Sequence, residues 1–159
     1  MIFVTVGSQL PFDRFIAPVA AWARAQTTCD IYFQHGGTTV DLSGFEHAAF
    51  VTPDEAAKLF ERAHVVVAHV GMGTILTCLE LGKPIIVFPR KASLGETRNE
   101  HQSASARSLE SRPGFFVAWD ESELHALLER ISTLSGGTRV SSDASPELIG
   151  AVRSFIHDA

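Results

Sequence analysis

The sequence predicts an α/β fold, a parallel sheet with helices on both faces. Two observations carry this. Short runs such as Val65-Val66-Val67-Ala68-His69 are apolar without alternation, the pattern of strands covered on both sides. Between such runs lie amphipathic stretches long enough for helices, so strand and helix signals alternate along the chain. With 159 residues, 45 % of them hydrophobic, the chain holds enough apolar matter for one core.

Residues 2–6 open the chain as a buried strand, broken by Gly7-Ser8-Gln9-Leu10-Pro11. A helix over 13–25 follows, apolar at Phe15, Ile16, Val19, Trp22 and Ala23; Pro18 inside it predicts a kink or a new first turn. Residues 30–34 read as a second strand, 35–45 as a glycine-containing loop and 48–51 as a third strand. Thr52-Pro53-Asp54-Glu55 is a helix start, with threonine as cap, proline at the first position and acids in the first turn. That helix runs to about 63. The fourth strand is 65–69, the next helix 73–81 with Gly82 as its C-terminal cap, and the fifth strand 85–88. A helix over 99–111, a strand over 115–118 and a helix over 122–134 complete the main domain, residues 1–134. The small, polar stretch 135–145 reads as a flexible linker and 146–159 as a C-terminal helix. The pattern is that of a Rossmann-like domain, in which ligands bind beyond the carboxyl ends of the strands. Gly7, His35, Thr52, His69 and Pro89 fall on that edge.

Charge and composition exclude several classes. A formal net charge of −5 argues against a nucleic-acid surface, which needs a basic stripe. Cys29 and Cys78 fit neither a CxxC site nor a disulfide framework, and reduced, buried thiols are expected. The seven histidines lack metal-ligand spacing, so no metal and no cofactor is expected. The opening strand leaves no room for a signal peptide, and no apolar run reaches the roughly 20 residues of a membrane span. The expectation is a soluble, cytoplasmic chain, attached to a membrane only through a partner.

The residues able to carry chemistry cluster at strand ends. Gly7 and Ser8 follow the first strand, where free amides and a missing side chain suit a phosphate; a strand-ending turn uses glycine for its own reasons too. His69-Val70-Gly71-Met72-Gly73-Thr74 is the stronger signal. Two glycines at a helix entrance open space for a diphosphate, and the helix dipole adds about half a positive charge there. A tightly packed turn is the competing explanation. His69 reads either as a structural histidine or as a donor to phosphate or a sugar hydroxyl. Glu80 shares a helix face with Gly73 and Thr77 and sits near a helix C-terminus, where the dipole disfavours a carboxylate. A ribose diol is a suitable partner for it; solvent or Lys83 is the ordinary alternative. Asn99 and Gln102 have capping-box spacing, which leaves His101 able to face a ligand. Arg90, Lys91 and Arg98 concentrate cations that meet phosphate, an acidic sugar or only solvent. No hydrolytic triad can be read.

These residues resemble a known family. Ile2-Phe3-Val4-Thr5-Val6-Gly7 with Pro11-Phe12-Asp13, His69-x-Gly71-x-Gly73-Thr74 with Glu80, and Gly82-Lys83-Pro84 are similar to the small donor-binding subunit of two-part glycosyltransferases with the GT-B architecture. This is the glycosyltransferase family 28 C-terminal type. It includes bacterial exopolysaccharide and capsule enzymes and the eukaryotic subunit that helps add the second N-acetylglucosamine to dolichol diphosphate. The peptidoglycan lipid-intermediate N-acetylglucosaminyltransferase is a more distant likeness. Pro89-Arg90, Ala92-Ser93-Leu94-Gly95-Glu96 and His101-Gln102 resemble the exopolysaccharide branch.

The resemblance implies the C-terminal, donor half of a GT-B fold. Gly7, Ser8, Gly71, Gly73 and Thr74 would approach the diphosphate, and Glu80 the ribose. Gln102 with His101 would contact the sugar, and the uracil would lie near Val51 and Thr52. His69, Arg90 and His101 complete the candidate set, with His69 and His101 the candidates for catalysis. The implied reaction is an inverting transfer from a UDP-sugar to a lipid-linked acceptor, with a membrane-anchored acceptor-binding subunit and no nucleic acid. Glucuronic acid is the first guess for the sugar, because Arg90, Lys91 and Arg98 suit its carboxylate. A non-catalytic enhancer that stabilises its partner is the alternative, which Glu80→Ala would separate from donor binding. A nucleotide-sugar epimerase needs two such halves in one chain.

Overall fold

A computed structural model describes residues 1–8, 10–98 and 100–141. Its core is a six-stranded, wholly parallel sheet in the order β3-β2-β1-β4-β5-β6. The strands are β1 (Ile2–Thr5), β2 (Ile31–Gln34), β3 (Glu46–Ala48), β4 (Val65–His69), β5 (Ile85–Phe88) and β6 (Phe115–Val117). The helices are α1 (Asp13–Ala25), α2 (Pro53–Arg62), α3 (Met72–Leu81), α4 (His101–Leu109) and α5 (Glu121–Glu129). The expected Rossmann-like α/β sheet, covered on both faces, is the observed one.

Alternation along each strand divides the core into two layers. Ile2, Val4, Val65, Val67, Ile86 and Phe88 pack with α1 and α5 on one face. Phe3, Val66, Ala68, Ile85 and Val87 pack with α2, α3 and Ala106 of α4 on the other. The chain winds outward from β1 through β2 to β3, then crosses to the far side of β1 to lay down β4. The order therefore reverses between β1 and β4, and in such sheets the crevice opens at that switch point.

Local signals explain most boundaries. Thr52 caps α2 in a full capping box with Glu55, and Pro53 occupies its first turn as the sequence predicts. Gly82 ends α3 in the left-handed conformation. Pro18 lies inside α1, which runs through it as one helix.

Three expectations are corrected. The third strand is Glu46–Ala48 rather than 48–51, because the Ala49 carbonyl is taken by the Gln34 amide (2.7 Å) and the Gly36 N–H (2.9 Å), drawing the chain off the sheet edge. The last helix ends at Glu129 and tightens into a 3-10 turn at Ile131–Thr133. The described part of the expected linker is packed: the Val140 N–H donates to the Leu79 carbonyl (3.1 Å), and Gly136 lies against Gly82. Trp22, one of the expected apolar positions of α1, is buried in the core. The expected helix over 146–159 lies outside the described residues. Both cysteines are free, and burial pushes the Cys78 thiol up to about 12. No described helix is long and apolar enough to cross a membrane.

Candidate functional site

The switch point carries a cleft of about 290 Å³ at the carboxyl ends of β1 and β4. Its walls come from three segments: Val6, Gly7, Ser8 and Leu10 after β1; His69, Gly71, Gly73 and Thr74 at the β4–α3 corner; and Arg90, Glu96, Thr97 and Gln102 after β5 and in α4. A neighbouring cavity of about 240 Å³ shares Gly7, Ser8 and Thr74 and adds Phe3, Phe50, Val51 and Phe60. The arrangement is a polar chamber opening beside an apolar one.

The β4–α3 corner has the geometry that suits an anion. Gly71 is the N-cap of α3 and has no side chain to satisfy the amides of the first turn, and the first intrahelical bond is Ile75 N–H to the Gly71 carbonyl (3.0 Å). The amides of Met72, Gly73 and Thr74 thus lack helical acceptors at the cleft, where the helix dipole is positive. Gly73 has nothing within 4 Å of where a Cβ would lie, so this approach is open.

His69 fills the space beneath the corner. A Cβ at Gly71 would lie 2.5 Å from its ring, and one at Gly7 would lie 2.6 Å away. Gly7 also has φ +76°, a conformation that favours glycine. Burial, with the Arg90 charge second, pushes the His69 pKa down to about 4. The imidazole is therefore neutral at physiological pH and offers one N–H, not a positive charge.

A buried polar pair holds the β1 turn. Thr5 Oγ1 donates to Gln34 Oε1 (2.6 Å) and accepts from the Gly7 N–H (3.2 Å), while Gln34 Nε2 donates to the Gly7 carbonyl (3.1 Å). Arg90 holds the rest of that loop. Only 4 % exposed, its guanidinium donates to the carbonyls of Val6 (3.1 Å), Leu10 (2.6 Å), Pro11 (2.8 Å) and Glu96 (3.4 Å). Gln102 Oε1 accepts from the Arg90 N–H (3.1 Å), tying α4 to the β5 loop.

The structure thus brings Gly7, Ser8, His69, Gly71, Gly73, Thr74, Arg90 and Gln102 together around one cleft. Other candidates fall outside it. Glu80 is exposed two helical turns beyond Gly73 and lines neither cavity; Lys83 does not pair with it, but donates to the Glu61 carbonyl at 2.8 Å. Thr52 is engaged as the cap of α2, and its neighbour Val51 lines the apolar cavity. His101 is exposed at the start of α4, outside the lining. Asn99 is outside the described residues; α4 has Glu100 as its N-cap, and Gln102 Oε1 accepts from the Arg90 N–H. Gln34, Thr97 and the role of Glu96 were missed. Gln34 left one faint trace, a polar residue ending a buried strand.

The fold and this corner define an α/β domain with a cleft at its switch point, onto which the uncapped start of a helix opens. A family model for the glycosyltransferase family 28 C-terminal domain matches residues 1–139, and the chain belongs to that family. Among known proteins it is similar to the UDP-N-acetylglucosamine transferase subunit ALG13 of Yarrowia lipolytica, 25 % identical over 138 residues, covering 76 % of this chain and 65 % of that protein. Among solved structures it is similar in fold to the glycotransferase of kitacinnamycin (TM-score 0.64, 22 % identity, 83 % of this chain and 34 % of that one). It is similar also to the solution structure of ALG13 (TM-score 0.56, 19 % identity, 89 % and 90 %). The fold is that of the C-terminal half of GT-B glycosyltransferases.

Proposed function

We propose that this chain is the donor-binding subunit of a glycosyltransferase. It holds a UDP-sugar, and a membrane-anchored partner presents a lipid-linked acceptor at the cytoplasmic face, in exopolysaccharide or capsule synthesis. One observation carries the reading: two strand-ending glycine turns and the uncapped start of α3 converge on a single cleft at the switch point. The similarity to a UDP-N-acetylglucosamine transferase subunit supports the class of donor.

The diphosphate sits against the amides of Gly71–Thr74 and the Gly7–Ser8 turn. The nucleoside passes Thr74, which both cavities share, and the uracil enters the apolar cavity beside Val51. Charge grows on the β-phosphate as the sugar leaves, and the helix-terminal amides and nearby Arg90 stabilise it. Transfer is inverting, with the acceptor hydroxyl attacking from the open side. The base that deprotonates it comes from the partner. His69, its pKa pushed down to about 4, is a weak base packed between two glycine turns, and His101 lies outside the lining.

The case for glucuronic acid weakens, since Arg90 already spends both terminal nitrogens on carbonyls. UDP-N-acetylglucosamine becomes the first donor to test. Calorimetric titration of the chain with UDP and a panel of UDP-sugars, with and without a co-expressed partner, tests the reading. UDP binding by the chain, with turnover only in the complex, is the expected result. No heat with any uridine diphosphate would overturn it and leave the enhancer reading, and robust turnover by the chain alone would overturn the two-part model.

A further inference from the structure

A carboxylate in the wall of a phosphate cleft is a liability, because it repels the ligand. Glu96 is such a group: it lines the cleft and its side chain is 14 % exposed. Its two oxygens, however, are held from behind. Arg14, which projects from α1 and does not line the cleft, donates from Nε to Oε1 (2.7 Å) and from Nη2 to Oε2 (2.8 Å). The Lys91 N–H donates to Oε2 as well (2.8 Å). Burial raises the Glu96 carboxyl, but the bonds from Arg14 and Lys91 and the charges of Arg14 and Arg90 outweigh it, so the group is held ionised below its usual range.

Arg14 is itself locked. Nη2 also donates to the Pro89 carbonyl (2.9 Å), and the guanidinium lies over the Phe88 ring at 4.4 Å. Arg90 lies over Phe12 at 4.4 Å on the cleft side of the same aromatic cluster. The two arginines therefore bracket the 90–96 loop, one from outside the cleft and one from its wall. A forked, paired guanidinium–carboxylate contact fixes orientation as well as charge.

We propose that Arg14 is a positioning residue for the donor diphosphate, acting through Glu96: it turns that carboxylate away from the anion and sets the loop carrying Arg90. This rests on the donor reading above. Without Arg14, the Glu96 carboxylate is released beside the cleft with its charge unneutralised, and a diphosphate meets repulsion. A nucleoside without phosphate does not.

The test uses the full chain and three proteins: wild type, Arg14→Met and Arg14→Met/Glu96→Gln. Each is titrated with UDP and with uridine, and urea midpoints are recorded beside them. Arg14→Met is expected to weaken UDP about tenfold and uridine less than about twofold. Neutralising Glu96 in the double variant is expected to recover most of the UDP affinity, to within about threefold of wild type. A merely structural role for Arg14 predicts parallel losses for both ligands and no recovery. That pattern, or unchanged UDP affinity in Arg14→Met, overturns the inference. Wild-type protein that ignores UDP overturns the donor reading instead, so the two failures are distinct.

Discussion

Replacing Gly71 by alanine probes the packing at the centre of the cleft. A Cβ there would lie 2.5 Å from both Cε1 and Nε2 of His69, well inside van der Waals contact. The backbone itself accepts alanine, since Gly71 has φ −100°. The cost is therefore steric, about 1–3 kcal/mol for overpacking a site whose neighbour cannot move away. Against it stands about 0.4–1 kcal/mol gained by restricting the unfolded chain. The steric term wins, and Gly71→Ala is expected to destabilise by about 1–2 kcal/mol. Removing the ring with His69→Ala removes the clash. In that background Gly71→Ala is expected to be neutral or stabilising by up to about 1 kcal/mol. A double-mutant cycle by urea denaturation then gives a coupling energy of about 2 kcal/mol. Gly7→Ala serves as the contrast: its Cβ would lie 2.6 Å from the same ring, but with φ +76° part of its cost remains when the ring is gone. Equal costs for Gly71→Ala with and without His69 would refute the packing account.

Three further outcomes are expected. Because the His69 pKa falls from 6.5 to about 4 on folding, the unfolded chain takes up the proton first. Its contribution to stability is complete above about 6.5 and is lost as pH falls towards 4, by about 3 kcal/mol in all; urea midpoints against pH should show a slope that His69→Gln flattens. Thr52→Ala breaks the capping box of α2 and should cost about 1 kcal/mol in urea denaturation while leaving UDP affinity within about twofold. Glu80→Ala, outside both cavities, should also leave UDP affinity within about twofold by calorimetry; a tenfold loss would route the nucleoside along the exposed face of α3 instead.

The sheet was legible because its strands announce themselves locally. Four consecutive apolar residues at 65–68 and at 85–88 read as doubly covered strands, and both are buried on both faces. The edge strand was misplaced for the complementary reason. β3 is Glu-His-Ala, paired on one side only and partly exposed, so it carries no apolar signature; the apolar Phe50 that seemed to belong to it is 61 % exposed beyond the sheet. A helix start with a side-chain cap was readable at Thr52, whereas α4, expected over 99–111, begins at His101 behind an acid that makes no side-chain cap bond.

The site divides in the same way, by the range of the interactions that build it. The anion corner is local: strand, glycine, glycine and helix lie within ten residues, and the local rule that free helix amides bind anions applies directly. What shapes the cleft is not local. Thr5 meets Gln34 across 29 residues, Arg14 meets Glu96 across 82 and Arg90 reaches Val6 across 84. Such pairs have no periodicity and no spacing rule, so Arg90 read as a free cation for substrate when its terminal nitrogens are engaged by the chain's own carbonyls. Gly71 shows the deeper ambiguity. In sequence its missing side chain reads as room for a ligand or as tight packing, and the structure shows tight packing on one side and an open cleft on the other. The His69 ring occupies one side of the turn, while the amides of α3 face the cleft on the other. A glycine turn is therefore evidence of an anion site only when the amides beyond it are uncapped and open to a cavity, as they are here at Gly73 and Thr74.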